Sequence, residues 1–154
     1  MTLYNYHCPE YIGSSDQMNI AFSYWRLKRT TFEQFMESTR KWYAGIPYSV
    51  TDKNQNEQFY EALFYSLMVG LGADVEAEGQ TADGRFDIAL KIQDAIYILE
   101  FKFNKTTREA TEQILTKDYA VRFAADARPV FAVGLNISED RRTIESYEVV
   151  EVKD

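Results

Sequence analysis

The stretch Gly84-Arg85-Phe86-Asp87-Ile88-Ala89-Leu90-Lys91-Ile92-Gln93-Asp94-Ala95-Ile96-Tyr97-Ile98-Leu99-Glu100-Phe101-Lys102-Phe103 reads as a β-hairpin. Its second arm, Ile96 to Phe103, is rich in β-branched and aromatic residues, the composition that suits a pleated, half-buried surface. Side chains alternate across a strand, so Glu100 and Lys102 project from one face with Ile96 and Ile98 behind them. Tyr97, Leu99, Phe101 and Phe103 line the opposite face. Gly84 to Leu90 forms the first arm and carries Asp87, and Gln93-Asp94 marks the turn. Two acids and a lysine are thereby expected to converge at one end of an otherwise apolar sheet.

Charges in an apolar setting are disfavoured unless they are paired or bound to a metal. Two neighbouring carboxylates repel, and a divalent cation removes the repulsion. Mg²⁺ takes one or two carboxylates, keeps several waters and leaves room for substrate phosphate. A lysine beside such a site can hold or activate a water, because desolvation lowers its pKa. The bland alternative is a solvated strand end in which Glu100 and Lys102 form a surface ion pair. Glu-x-Lys by itself is too common a tripeptide to decide between them.

Length and composition bound the answer. A chain of 154 residues is expected to form one main domain with a sizeable core, and 45% apolar with 27% charged residues is the balance of a water-soluble globular protein. Apolar runs fall well short of the roughly 20 residues that span a bilayer. The start, Met1 to Tyr6, lacks the charge and apolar core of a signal peptide. A single cysteine, Cys8, excludes an internal disulfide and fits a reducing cytoplasm; with His7 beside it and no other His or Cys, it is a poor start for a zinc site. A net charge of −7 argues against a simple nucleic-acid-binding module. The charge is uneven: residues 71–100 are acid-rich, which suits a metal, and residues 101–138 are base-rich, which suits a phosphate backbone.

Outward from the hairpin, residues 1–30 are expected to be an extension or linker, with a short helix over residues 17–29 partly burying Ile20, Phe22, Trp25 and Leu27. A helix is expected over Thr31–Ala44, capped by Thr30 with Glu33 three positions on. Its stripe is Phe32, Phe35, Met36, Thr39 and Tyr43. Asn54–Leu71 carries the widest apolar face, with Glu57 and Glu61 together on one side of the helix. A strand over Ala73–Glu78 precedes the hairpin. Beyond it, Thr106 and Glu109 have capping-box spacing for a helix expected to run to about Ala125. Ala110, Gln113, Ile114, Lys117 and Val121 fall on one stripe. Gln113 is then a polar residue on an apolar side, facing the acidic cluster or sitting at a boundary; a buried amide needs partners. Pro129–Leu135 reads as a strand buried on both faces and Arg142–Val152 as an edge strand. The third strand, helix and buried strand make a parallel crossover. A Gly-x4-Gly-Lys-Ser/Thr phosphate loop is absent from the sequence.

The ordered series Gly84-Arg85-Phe86-Asp87, Tyr97-Ile98-Leu99-Glu100-Phe101-Lys102, Ala110 with Gln113-Ile114, Lys117-Asp118-Tyr119 and Val133-Gly134-Leu135 resembles the PD-(D/E)XK nuclease superfamily. More narrowly it resembles the nuclease-like domain at the C-terminus of bacterial AAA-ATPase-like proteins. The resemblance covers roughly residues 31–152 and departs from the superfamily in having Phe86, not proline, before the aspartate. It implies an α/β fold, the restriction-endonuclease-like αβββαβ core with a mixed sheet flanked by helices, in a domain over residues 31–154. It implies Asp87 and Glu100 as ligands of Mg²⁺ or Mn²⁺, with Lys102 orienting the attacking water. Glu57 would support the metal from the first core helix, Gln113 would lie beside it from the second, and Tyr119 would be a weaker accessory. The implied partners are nucleic acid, DNA ahead of RNA, and an ATPase domain or subunit.

Three functions follow as alternatives. The first is a metal-dependent nuclease. The second is a catalytically silent module that binds nucleic acid or an ATPase partner. The third is a structural domain with solvated acids. A superfamily fold persists after activity is lost, so the fold by itself does not choose among them.

Overall fold

In the computed structural model, residues 14–52, 56–77, 80–81, 84–85, 88–116 and 119–152 are described. Helices α1 (Ser14–Arg26), α2 (Phe32–Ala44), α3 (Tyr48–Thr51) and α4 (Glu57–Gly70) come first. They are followed by β1 (Asp74–Ala77), the two-residue strands β2 (Gln80–Thr81) and β3 (Gly84–Arg85), β4 (Ile88–Ile92) and β5 (Ala95–Phe103). Then come α5 (Thr107–Thr116), a 3₁₀ turn over Tyr119–Phe123, β6 (Val130–Ser138) and β7 (Thr143–Val152).

Five strands form one mixed sheet in the order β1-β4-β5-β6-β7. β5 is the middle strand. It pairs antiparallel with β4 across the two-residue turn Gln93-Asp94, and parallel with β6 across the α5 crossover. β7 is an edge strand, with a register irregularity after Asn136. Of the first hairpin arm, Gly84-Arg85 and Ile88–Ile92 are described and both are strand. Gly84-Arg85 pairs with Gln80-Thr81 in a separate two-stranded ladder. The described part of the main-sheet ladder pairs Ile88 with Leu99 and Ile92 with Ala95.

The two faces of β5 divide as alternation requires. Tyr97, Leu99 and Phe101 join Phe22, Trp25, Phe35, Tyr60, Phe64 and Met68 in the larger core, under α1, α2 and α4. Rings make direct contact there: Phe32 stacks on Tyr97 with centroids 4.6 Å apart, and Trp25 stacks on Phe35 at 4.7 Å. Each such pair adds about 1 kcal/mol beyond the area it buries. The buried Tyr43 hydroxyl donates to the Tyr60 carbonyl at 2.7 Å, joining α2 to α4. Ile96 and Ile98, on the other face, pack with Ala89, Ala132, Ile114 and Phe123 beneath α5.

Several local readings are corrected. The α2 cap is Thr31, not Thr30. Its hydroxyl accepts from the Gln34 backbone and Gln34 reaches back to the Thr31 N–H. Thr30-Thr31-Phe32-Glu33-Gln34 holds two overlapping capping boxes, and one residue of shift exchanges them. In α1 the buried residues are Met18, Phe22 and Trp25, while Ile20 and Leu27 are 54% and 63% exposed. α5 ends at Thr116 instead of running to Ala125. An uninterrupted α-helix, at about 100° per residue, carries Val121 on its buried stripe and turns Phe123 to the opposite side. The 3₁₀ turn reverses this choice: Phe123 is buried and Val121 is 58% exposed. The larger aromatic side chain gains more from burial. Among the described residues no helix is long and apolar enough to cross a membrane.

α5 lies very close to the sheet at one point. A Cβ placed on Gly134 would stand 2.5 Å from the Thr107 carbonyl oxygen and 2.8 Å from both Ala110 Cβ and the Thr111 nitrogen. Two of these three neighbours are backbone atoms and cannot swing aside. Gly134→Ala is expected to destabilise the protein by about 1–3 kcal/mol, the range for overpacked sites. Urea denaturation followed by circular dichroism measures it, and an unchanged midpoint contradicts the close approach.

Candidate active site

β5 carries Glu100 and Lys102 onto the α5 side of the sheet. Glu100 is 3% exposed. The Lys102 side chain is 13% exposed, and its Nζ stands 3.7 Å from Glu100 Oε1. Between them sits the Gln113 amide from α5. Gln113 Nε2 donates to Glu100 Oε1 at 2.5 Å, and Gln113 Oε1 accepts from Lys102 Nζ at 2.7 Å. These two partners define the amide's orientation: only its NH₂ can serve a carboxylate and only its oxygen can serve an ammonium. A carboxylate taken out of water costs several kcal/mol, which the Coulombic attraction of an ion pair offsets only when hydrogen bonds complete the arrangement. The bridge supplies them.

The local chain places Gln113 at that depth. Asn104 directly follows β5 in the left-handed region, φ 52°, a conformation asparagine tolerates. Its side chain exchanges hydrogen bonds with Glu139. Asn136, opposite Lys102 in the ladder, accepts from the Lys105 N–H at 2.8 Å. Thr106 then starts α5. Its hydroxyl accepts from the Glu109 N–H, and Glu109 Oε2 accepts from both the Thr106 N–H and its hydroxyl. Those bonds hold the Glu109 carboxyl below its ordinary value of 4.5.

The remaining expected residues fall as follows. Glu57 opens α4 and meets Lys105, with Nζ 3.9 Å from Oε1, in a solvent-facing pair. Asp87 lies outside the described residues, as does the Tyr119 side chain. Three polar residues on this face were not anticipated: Asn136, Thr111 and Glu148. Asn136 had a signal, being the one amide inside the apolar run Val133–Ile137. Thr111 and Glu148 had none, because a threonine on a helix and a glutamate on an edge strand are ordinary surface choices.

Among the described residues no three His, Cys, Asp or Glu side chains converge. Glu100 nevertheless offers hard oxygen donors at the buried end of a polar cluster, and Mg²⁺ needs as few as one protein carboxylate. The donor chemistry therefore fits a hard divalent cation.

Comparison with known proteins bears on the fold. A family model described as the PD-(D/E)XK nuclease superfamily matches residues 55–147. The chain belongs to that superfamily. Its five-stranded mixed sheet between helices is the restriction-endonuclease-like arrangement, and the match takes in Glu57, the hairpin and Gln113. The PD-(D/E)XK chain is also 31% identical over 124 residues to the "Uncharacterized protein in vnfD 5'region" of Azotobacter chroococcum mcd 1. The alignment covers 79% of this chain and 23% of that relative's length.

Two expectations arise from the site of this PD-(D/E)XK domain. Gln113→Leu removes the bridge and leaves a buried carboxylate facing hydrocarbon, so stability should fall by about 1–3 kcal/mol, read as a lower urea midpoint. The Glu109 cap behaves differently with pH. Its carboxyl titrates lower when folded than when unfolded, so its contribution is complete above its ordinary value and is lost as pH falls through the depressed one. Amide exchange in the first turn of α5 should therefore accelerate, relative to the β6 core, in that acidic window. Equal protection ratios at neutral pH and below the window would contradict it.

Proposed function

We propose that this domain is a metal-dependent nuclease that hydrolyses phosphodiester bonds of nucleic acid, DNA ahead of RNA. The observation that carries the reading is the Glu100–Gln113–Lys102 bridge: an acid and a base, two residues apart on a buried strand, held apart and in place by an amide from a crossing helix. A solvated strand end needs no such bridge.

Asp87 and Glu100 would hold Mg²⁺ or Mn²⁺. When bound, such an ion would supply charge neutralisation at the scissile phosphate and Lewis acidity. The chain's own residues set the rest. Gln113 takes one hydrogen bond from the ammonium and gives one to the carboxylate, so the two charges stand apart instead of collapsing into contact. An ammonium has three donors. With one directed at Gln113, Lys102 retains two for a water or a phosphate oxygen, and it is the more exposed member of the pair. That geometry suits orientation of an attacking water. Glu57 supports the site from α4, with Lys105 as its counter-charge, and Tyr119 is an accessory. The resemblance to nuclease-like domains of AAA-ATPase-like proteins, together with a relative several times longer than this chain, favours action beside an ATPase module.

A second reading, a silent nuclease-fold module that binds nucleic acid or an ATPase partner, draws on the net charge of −7. Cleavage separates the two. Purified protein with Mg²⁺ or Mn²⁺ is incubated with supercoiled, linear and single-stranded DNA and with RNA. The nuclease reading expects cleavage that EDTA stops. It also expects Lys102→Ala and Asp87→Ala to lower the rate by about 10²-fold or more, with unchanged circular dichroism. Binding without cleavage on every substrate, or cleavage that persists in Lys102→Ala, would overturn it in favour of the silent module or a different site.

A further inference from the structure

α5 is gripped on both flanks. Ala110 and Ile114 face the sheet, and Ala110 lies over Gly134. At about 100° per residue, Thr111 and Gln113 lie on opposite sides of that contact line. Gln113 reaches toward β5. Thr111 reaches toward β7, where its hydroxyl meets Glu148 Oε2 at 2.9 Å. Glu148 pairs with Gly134 in the β6–β7 ladder, and Gly134 pairs with Glu100 in the β5–β6 ladder. Glu100, Gly134 and Glu148 thus form one row across the sheet, with the two carboxylate-bearing strands about 10 Å apart. The helix rests on the glycine between them.

We propose that Thr111 and Glu148 are a positioning pair: they set the roll of α5 about Gly134 and so place Gln113 on Glu100 and Lys102. A bland reading assigns the Thr111 hydroxyl to its own helix, because the carbonyls of Thr107 and Arg108 are each 3.2 Å away. A hydroxyl has one proton to give. The carboxylate is nearer and charged, and a charge-assisted bond is about twice as strong as a neutral one. The Arg108 guanidinium, which pairs with Glu112 at 3.2 Å, also lies 3.7 Å from Glu148 Oε1. Thr111 is buried, whereas Glu148 is partly open to water. Loss of the bond therefore leaves the acid solvated and the fold intact. A small roll of α5 moves Gln113 directly, because it sits on the opposite flank about 3 Å further along the helix axis.

The catalytic consequence rests on the nuclease reading above; the geometric one does not. Two measurements keep them apart. The first is the side-chain amide signal of Gln113 in ¹⁵N-correlated NMR of the full chain, identified by its loss in Gln113→Ala. Thr111→Val, which keeps the shape and deletes the hydroxyl, should shift that signal and speed its exchange, and Thr111→Ser should restore it. An unmoved signal in Thr111→Val overturns the proposal. If Thr111→Val does not fold, Glu148→Ala removes the acceptor from the other side and is judged the same way.

The second measurement is Mg²⁺-dependent DNA cleavage. Thr111→Val should lower kcat by about tenfold or more with KM unchanged, since sub-ångström misplacement of a catalytic group acts on rate. Thr111→Ser should recover most of that loss. The double variant Thr111→Val/Gln113→Ala should be no slower than Gln113→Ala alone. Additive losses mean that Thr111 does not act through Gln113 and overturn the proposal while leaving the nuclease reading standing. Absence of cleavage by the wild type defeats the nuclease reading, and the NMR result then decides the geometry.

Discussion

A carboxylate in the middle strand of a five-stranded sheet, all but closed to solvent, cannot persist without partners. Glu100 is in that position, and much of the molecule's arrangement on the α5 side follows from satisfying it. Its oxygen accepts from Gln113, whose own oxygen accepts from Lys102. The bridge works only if α5 sits deep on the sheet. Depth requires a residue without a side chain beneath the helix, and Gly134, the ladder partner of Glu100, provides it. One buried charge thus links an amide, a lysine, a helix position and a glycine.

The opposite face of the same strand has a different task. Tyr97, Leu99 and Phe101 enter an aromatic core built from α1, α2 and α4. Stacked rings and the buried Tyr43 hydroxyl tie α1, α2 and α4 together on that side. β5 is therefore anchored by hydrocarbon on one face while it presents charge on the other. A strand can do both because its side chains alternate. On the α5 side the strand packs Ile96 and Ile98 into a second apolar cluster and carries Glu100 and Lys102 beyond them, so that face meets packing and polar requirements in succession.

Much of this was legible in the chain. Alternation in Ile96–Phe103 assigned Glu100 and Lys102 to one face and the aromatics to the other, and the ladder has that register. The stripe through Ala110, Gln113 and Ile114 singled out Gln113 as a polar residue that needed partners. Other readings failed for physical reasons. Thr30 and Thr31 offer competing caps of equal spacing. Val121 continued a helical stripe, but burying Phe123 outweighed continuing the helix. Ile20 and Leu27 are apolar yet exposed, since among the described side chains α1 buries the side bearing Met18, Phe22 and Trp25.

Periodicity and capping are short-range properties, carried by residues a few positions apart. They were enough for the long helices, the strands of the main sheet, the β4–β5 pairing, the parallel crossover and the face on which Glu100 and Lys102 lie. The Thr111–Glu148 bond joins residues 37 apart in the chain, and the Lys105–Asn136 bond spans 31. No local pattern encodes such pairs. They arise when a helix settles across three strands at a depth set by the absence of one side chain, and that depth is a property of packed volume in three dimensions.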